Sequence, residues 1–149
     1  MTPVPNPKLT AEGLALTHSM AFDGKGWSEA TFESYLNDQQ TLIFGTDSCF
    51  AVVRLLASEA EILTLATRPS GQGKGRATRM LLGALDQLED VGVEVVYLDV
   101  SDQNTAARAL YAKCGFTGFD LRHNYYRDGT TAICMRADLK RSNPPKPRR

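Results

Sequence analysis

Hydrophobic and polar residues alternate along the chain with two different periods. The clearest helical period covers Arg76–Val91, and Gly92 follows at a position suited to ending a helix. The apolar residues there recur at three- and four-residue spacing: Ala77, Met80, Leu81, Ala84, Leu85, Leu88 and Val91. Shorter helices are predicted over Thr10–Met20, Ser28–Asn37 and Asn104–Lys113. Thr10 and Ser28 are suited to N-cap positions.

The remaining apolar segments are short and predict strands. Three lie close together and are separated by turn residues: Thr41–Gly45, Cys49–Leu56 and Glu61–Thr67. Val93–Val100 is nearly all apolar, which favours a strand buried on both faces beside a parallel neighbour. Phe116–Tyr126 and Thr131–Leu139 flank Asp128-Gly129, a pair typical of a short hairpin loop.

The order of these elements predicts one α/β domain, a mixed sheet with helices on both faces. We expect the domain to span 10–139, after an N-terminal extension at 1–9. A basic tail, 140–149, carries five cations and no acid, and its prolines and lack of hydrophobic residues predict disorder. The tail could contact RNA, but a solvated segment is the favoured interpretation, so we expect no specific nucleic-acid partner.

Composition excludes several classes of protein. The 149 residues contain no apolar run of the ~20 residues that a membrane span needs. Met1–Thr10 lacks the apolar core of a secretory signal, so a cytoplasmic protein is expected. The three cysteines lie far apart and only two histidines are present, so we expect buried thiols and no metal.

A glycine-rich segment lies between the third predicted strand and the long helix. Gly71, Gly73 and Gly75 let backbone N–H groups converge at a helix N-terminus, which favours phosphate oxygens. On composition alone, a plain tight turn is equally plausible. The spacing fits neither a dinucleotide-binding fingerprint nor a Walker loop.

The sequence of this loop, Gln72–Ala77, resembles the Q/R-x-x-G-x-G/A signature of GNAT acetyltransferases, which binds the pyrophosphate of coenzyme A in that family. Glu61–Thr67 resembles the family strand that pairs with the pantetheine arm. Asn104–Tyr111 and Cys114–Phe116 resemble the family's N-x-x-A-x-x-L-Y…G-F block. The resemblance implies the GNAT fold and acetyl-CoA as co-substrate. The residues that it places at the cofactor are Leu65, Ala66, Thr67, Gln72, Gly73, Lys74, Gly75, Arg76, Ala77, Thr78 and Asn104. Asn104 is equally suited to an N-cap.

The resemblance also implies direct attack of an amine on the thioester. Tyr111 matches the family's proton donor, although packing is the alternative for this side chain. Asp99 matches the position of a glutamate base in the alanine N-acetyltransferases and is shorter by one methylene. Glu61 acting through water, or a purely structural Asp99, are the alternatives.

Trp27-Ser28 and Asn124-Tyr125-Tyr126 resemble the bacterial ribosomal-protein alanine N-acetyltransferases, the RimI type. That likeness places Trp27, Tyr125 and Tyr126 around an acceptor slot and implies a protein N-terminus, from a ribosomal protein, as acceptor. An acetyltransferase for a small amine such as an antibiotic or polyamine is a second hypothesis. A non-catalytic coenzyme A-binding, ribosome-associated module is a third.

Overall fold

The computed structural model describes residues 9–139, and these form four helices and six strands. The predicted tail at 140–149 and residues 1–8 of the predicted extension lie outside the described residues. The helices are α1 (Ala11–Ala21), α2 (Glu29–Leu36), α3 (Arg76–Asp90) and α4 (Thr105–Lys113). The strands are β1 (Thr41–Thr46), β2 (Cys49–Leu56), β3 (Glu59–Thr67), β4 (Val95–Ser101), β5 (Thr117–Arg122) and β6 (Ala132–Asp138).

All six strands belong to one sheet in the order β1-β2-β3-β4-β6-β5. Every neighbouring pair is antiparallel except β3 and β4, so the sheet is mixed, as predicted. The parallel pairing is short. It joins Glu59–Glu61 to Val95–Tyr97 and ends there, although both strands continue. Beyond Glu61 and Tyr97 the two strands therefore part.

Helices cover both faces of the sheet, which confirms the predicted layers. Alternate residues of β2 divide between two cores, because side chains of a strand point to opposite faces. Ala51 and Val53 pack toward α3 and α4, with Leu81, Leu85, Leu88 and Phe116 among their neighbours. Phe50 and Val52 pack toward α1 and α2, against Leu14 and Phe32.

A bulge in β3 changes which face its residues present. The partner of Val53 is Ile62 and the partner of Val52 is Thr64, so Leu63 is the extra residue. Ile62 packs in the core beneath α3, whereas Thr64 bonds to a side chain of α1. The bulge comes soon after Glu61, where the pairing of β3 with β4 ends. Because of the extra residue, Thr64 faces α1 instead of sharing the face of Ile62.

The ends of the helices follow the predicted capping residues. The hydroxyl of Thr10 accepts from Gly13 N, and that of Ser28 accepts from Thr31 N. At the end of α3, Gly92 adopts φ +97, and Gly92 N and Val93 N donate to Glu89 O and Leu88 O. This is the Schellman arrangement, in which only glycine is free of strain at the left-handed residue.

Two strand predictions need correction. β4 starts at Val95 rather than Val93, because Val93 N completes the cap of α3. Its side chains are buried on one face only: Val96, Leu98 and Val100 are buried, whereas the opposite face is half-buried. The prediction of a strand buried on both faces is therefore wrong.

The final hairpin is also shorter than predicted. β5 ends at Arg122, not Tyr126, because Asn124 adopts φ +54 and takes the chain out of the extended region. The Asp128-Gly129 turn does form, with Gly129 N donating to Tyr126 O at 2.9 Å. Residues 123–131 are thus a loop, hereafter the β5–β6 loop.

Among residues 9–139, no helix is long and apolar enough to cross a membrane.

Candidate active site

The glycine-rich segment forms an open entry to α3. Gly75 occupies the N-cap position of α3 with φ +74, and no side chain caps this end of the helix. Gly73 also has a left-handed φ, and a side chain added there would meet no atom within 4 Å. The N–H groups of the first turn of α3 are therefore uncapped by side chains and lie beside open space. This is the geometry that an oxyanion needs at a helix N-terminus.

Two side chains tie this entry to the sheet. Gln72 Nε2 donates to Thr67 O at the end of β3, at 3.0 Å. Arg76 Nη2 donates to Ser48 Oγ in the β1–β2 turn, at 3.2 Å. Lys74, Arg76 and Arg79 add three positive charges here, and none of them forms an ion pair with a carboxylate among the ion pairs of the described residues. The entry is thus electropositive as well as open.

The predicted cofactor strand buries its side chains. Ala66 is 2% exposed, and Thr67 is buried with its hydroxyl 3.4 Å from Cys49 Sγ. Leu65 packs against the core beneath α3. Beyond Glu61 this strand pairs with β2 on one side and not with β4 on the other. What these three residues offer a ligand is consequently backbone, as the family resemblance implies.

A helix cap places Tyr111. Gly115 has φ +98, and Gly115 N and Phe116 N donate to Ala112 O and Tyr111 O, a second Schellman arrangement. The hydrophobic contact of this cap joins the rings of Phe116 and Tyr111, whose centroids are 5.7 Å apart. The L-Y…G-F spacing of the sequence is therefore also the spacing of a helix cap, which fixes the tyrosine ring.

Tyr111 is 7% exposed, and burial raises the pKa of its phenol, followed by the effect of the nearby Tyr126. Every buried side-chain nitrogen and oxygen of residues 9–139 has a hydrogen-bond partner. The hydroxyl of Tyr111 makes no such bond within that part of the chain, so its oxygen is in contact with solvent. A protonated phenol at such a position is able to donate a proton.

Asp99 lies on the half-buried face of β4, with 24% of its side chain exposed. Its partner across the β4–β6 pair is Cys134, and Arg122 Nη1 lies 4.0 Å from Asp99 Oδ2. Burial raises the pKa of the Cys134 thiol, and hydrogen bonding to Asp99 raises it further. The thiol therefore stays protonated beside the carboxylate. Sequence reasoning missed both neighbours of Asp99, because only the strand register reveals them.

The β5–β6 loop brings aromatic residues to the same place. The Tyr125 and Tyr126 rings are 5.0 Å apart, and the Arg122 guanidinium lies 5.5 Å from the Tyr125 centroid. Burial, and next the charge of Asp99, raise the pKa of Tyr126 to about 12. Tyr126 thus lies within electrostatic reach of both Asp99 and Tyr111.

Two further predicted residues keep both of their interpretations. Asn104 Oδ1 accepts from Ala107 N at 3.1 Å, so its N-cap role is real, and its cofactor contact stays a prediction. Glu61 pairs with Tyr97 in the last parallel bridge and lies on the same face of the sheet as Asp99. Both Glu61 and Asp99 are therefore candidate bases on this face.

Trp27 lies in the α1–α2 loop (22–28). Its indole packs between the rings of His18, at 4.8 Å, and Tyr35, at 5.6 Å. Hydrogen bonds from Thr130 lower the pKa of Asp128 in the β5–β6 loop, and the charge of Lys25 in the α1–α2 loop adds a smaller effect in the same direction. The two loops are therefore within electrostatic reach of each other.

Within residues 9–139, no three His, Cys, Asp or Glu side chains come together in a way that could hold a metal ion. The three cysteines are free and buried. The chemical groups of the candidate site are the carboxylate of Asp99, the phenols of Tyr111 and Tyr126, and the electropositive entry to α3.

Comparison with known proteins gives consistent matches. The [Ribosomal protein bS18]-alanine N-acetyltransferase of Escherichia coli (strain K12) is 38% identical over 105 residues, covering 67% of this chain and 70% of that protein. The N-alpha-acetyltransferase RimI of Mycobacterium tuberculosis is 42% identical over 81 residues, covering 54% of this chain and 49% of that protein.

The crystal structure of the ribosomal-protein-S18-alanine N-acetyltransferase from Escherichia coli superimposes with a TM-score of 0.79 at 30% identity, over 89% of this chain and 90% of that one. Ard1 from Thermoplasma volcanium shares the fold, with a TM-score of 0.75 at 19% identity, over 88% and 94% of the two chains. The model of the acetyltransferase (GNAT) family matches residues 21–116, from the end of α1 to the cap that fixes Tyr111. With its glycine-rich helix entry, its parted strands and its sequence relatives in agreement, this chain belongs to the GNAT family of acetyltransferases.

Proposed function

We propose that this protein transfers an acetyl group from acetyl-CoA to the N-terminal α-amine of a protein, a ribosomal protein that begins with alanine. The observation that carries the proposal is that Tyr126 lies within electrostatic reach of both Tyr111 and Asp99, and that Asp99 lies on β4 beyond its pairing with β3. The relatives from Escherichia coli are named for acetylating the alanine of ribosomal protein bS18, which supports the choice of acceptor.

The residues present fit acetyl-CoA. Bound there, it supplies an activated acetyl thioester. The uncapped first turn of α3 and the positive charges of Lys74, Arg76 and Arg79 suit its phosphates. The backbone of Leu65–Thr67, unpaired with β4, suits its amide-containing arm.

Asp99 and Tyr111 then serve opposite ends of one displacement. The acceptor nitrogen forms a bond to the carbonyl carbon as the carbon–sulfur bond breaks. Asp99 takes the proton that the amine releases, directly or through one water that compensates for its short side chain. Tyr111 gives its phenolic proton to the departing sulfur. Burial raises the pKa of Tyr111, so the phenol is protonated when the sulfur departs.

The acceptor slot lies between the α1–α2 loop and the β5–β6 loop. Trp27 forms one wall and Tyr126 the other, with Tyr125 bracing Arg122 beside it. An extended chain end enters such a slot, whereas a lysine in mid-chain brings flanking backbone that collides with its rim. We also propose that residues 10–139 are the catalytic domain and that the protein acts in the cytoplasm, where ribosomes are.

The test compares two peptides that differ only at their ends. One begins with a free alanine, and its twin carries a blocked N-terminus and an internal lysine. With acetyl-CoA, mass spectrometry is expected to find acetylation of the free alanine alone. Equal acetylation of the blocked twin contradicts the proposal. A polyamine or aminoglycoside acetylated in preference to both peptides instead supports a small-amine acetyltransferase.

Asp99→Asn and Glu61→Gln distinguish the two candidate bases in the same assay. We expect Asp99→Asn to lower kcat at least tenfold, which is within the usual contribution of a general base. Glu61→Gln is expected to change it much less. The reverse result assigns the base to Glu61.

A further inference from the structure

His18 is a buried histidine whose two ring nitrogens are both used. It belongs to α1 and is 4% exposed. Trp27 N donates a hydrogen bond to Nδ1 at 2.9 Å, and Nε2 lies 2.8 Å from Thr64 Oγ1. One imidazole therefore joins α1, the α1–α2 loop and the bulged segment of β3.

These bonds determine the tautomer. A backbone N–H only donates, so Nδ1 must accept and carry no proton. Nε2 then carries the proton of the neutral ring and donates a hydrogen bond to Thr64 Oγ1. Burial lowers the pKa of His18 to about 4, so the ring is neutral, with this tautomer, at physiological pH.

Aromatic rings enclose the imidazole on several sides. The centroids of Phe22, Trp27 and Phe32 lie 4.6, 4.8 and 5.4 Å from that of His18. A phenylalanine has nearly the same shape and suits such surroundings, so packing alone does not explain a histidine. The polar contacts distinguish it.

The chain before Trp27 is pinned to the same helix. A side chain at Gly26 would come within 2.5 Å of Ser19 N and 2.7 Å of the His18 carbonyl carbon. Glycine lets the backbone of the α1–α2 loop touch that of α1 directly. The position of the Trp27 backbone is consequently set by two contacts with α1, one through Gly26 and one through His18.

We propose that His18 is a positioning residue of the acceptor site: its Nδ1 holds the Trp27 backbone, and thereby the indole wall of the slot, at a fixed place relative to β3. This inference rests on the proposed function, because it takes Trp27 as one wall of that slot. Thr64 acts on the other nitrogen. The Thr64 hydroxyl accepts a hydrogen bond from the Nε2–H group and thereby orients the ring with Nδ1 toward the α1–α2 loop.

A pair of substitutions separates the two nitrogens. The side-chain oxygen of asparagine takes roughly the place of Nδ1, and the amide end of glutamine takes roughly the place of Nε2. His18→Asn therefore keeps the acceptor for Trp27 N, and His18→Gln keeps the contact with Thr64. Both remove the ring, so each serves as the control for the other. Thr64→Val is a third variant, which leaves Nδ1 unchanged if either ring replacement fails to fold.

The first readout is hydrogen exchange of the Trp27 amide, measured by NMR, which requires no catalysis. We expect full protection in wild type and His18→Asn, partial loss in Thr64→Val, which keeps Nδ1 but no longer orients the ring, and complete loss in His18→Gln. The second readout is kinetics with the alanine-ended peptide. Peptide KM is expected to rise about tenfold in His18→Gln and to stay within about threefold in His18→Asn, as loss of one buried hydrogen bond implies.

Two outcomes overturn the inference. One is equal exchange of the Trp27 amide in both ring variants. The other is a peptide KM that follows the melting temperature of each variant rather than the amide's protection. If wild type acetylates no peptide end at all, the proposed function fails, and the exchange data still decide whether His18 holds Trp27.

Discussion

At the scale of single residues, Tyr111 shows how a family motif and a physical requirement coincide. Its ring is fixed by a helix cap, while its hydroxyl oxygen is in contact with solvent. Tyr111→Phe keeps the ring contact with Phe116 and removes only the proton donor. We expect kcat to fall at least tenfold and the affinity for acetyl-CoA, measured by calorimetry, to change less than twofold. Unchanged turnover would return this tyrosine to a packing role.

His18 makes stability depend on pH in a predictable direction. Its pKa is near 6.5 in the unfolded chain and about 4 in the fold, so between these values the unfolded state binds more protons. The free energy of unfolding therefore falls as pH drops from 6.5 to 4, by up to roughly 3 kcal/mol in total. Urea titrations across this range should show a shallower fall for His18→Asn than for wild type. Parallel curves would mean that other groups cause the acid sensitivity.

Asp99 marks the limit of what single residues reveal in a sequence. A carboxylate at the end of an apolar run can be recognised without a structure, and so can its match to a family base. Its contacts with Cys134 and Arg122 cannot, because they depend on the register of β4, β6 and β5. The contacts of His18 cannot be recognised in the sequence for the same reason, since Thr64 faces this histidine only because of the bulge at Leu63.

At the scale of elements, local sequence predicted helix ends better than strand ends. The caps at Thr10, Ser28 and Gly92 depend on residues within one turn, which the sequence displays. Strand ends depend on neighbours that are distant in sequence. Val93 was predicted to belong to β4 but is used by the cap of α3. Tyr125 and Tyr126 were predicted to continue β5, but the left-handed Asn124 precedes them.

The helix entry allows a controlled test of the phosphate site. Gly75 has φ +74 and Gly92 has φ +97, at opposite ends of α3, and neither has backbone within 4 Å of an added side chain. Gly75→Val and Gly92→Val should therefore suffer similar backbone strain, of roughly 1–2 kcal/mol. Only Gly75→Val is expected to abolish binding of acetyl-CoA, measured by calorimetry on folded protein. Equal loss in both variants would show that strain, not the phosphate site, is responsible.

At the scale of the whole molecule, the site is assembled from distant parts of one chain. The α1–α2 loop supplies Trp27, the parted strands supply Asp99, and α4 supplies Tyr111. The β5–β6 loop supplies Tyr126. In the proposed function such an arrangement separates the two substrates, because the electropositive entry to α3 and the acceptor loops belong to different parts of the chain. Changes to one substrate's side should leave the other's affinity nearly intact.

Tyr126 tests that separation, since it lies within electrostatic reach of Asp99 and Tyr111 and is assigned to the acceptor side in the proposed function. Tyr126→Ala removes one wall of the slot without touching the glycine-rich loop. The peptide KM should therefore rise several-fold or more, while the dissociation constant of acetyl-CoA stays within about twofold. Tyr126→Phe is the informative partner, because it keeps the wall and removes the hydroxyl. If the wall is what the peptide contacts, Tyr126→Phe retains most of the affinity that Tyr126→Ala loses. Should both variants weaken acetyl-CoA binding as much as peptide binding, the β5–β6 loop does not act on the acceptor side alone, and the division of the site into two sides is wrong.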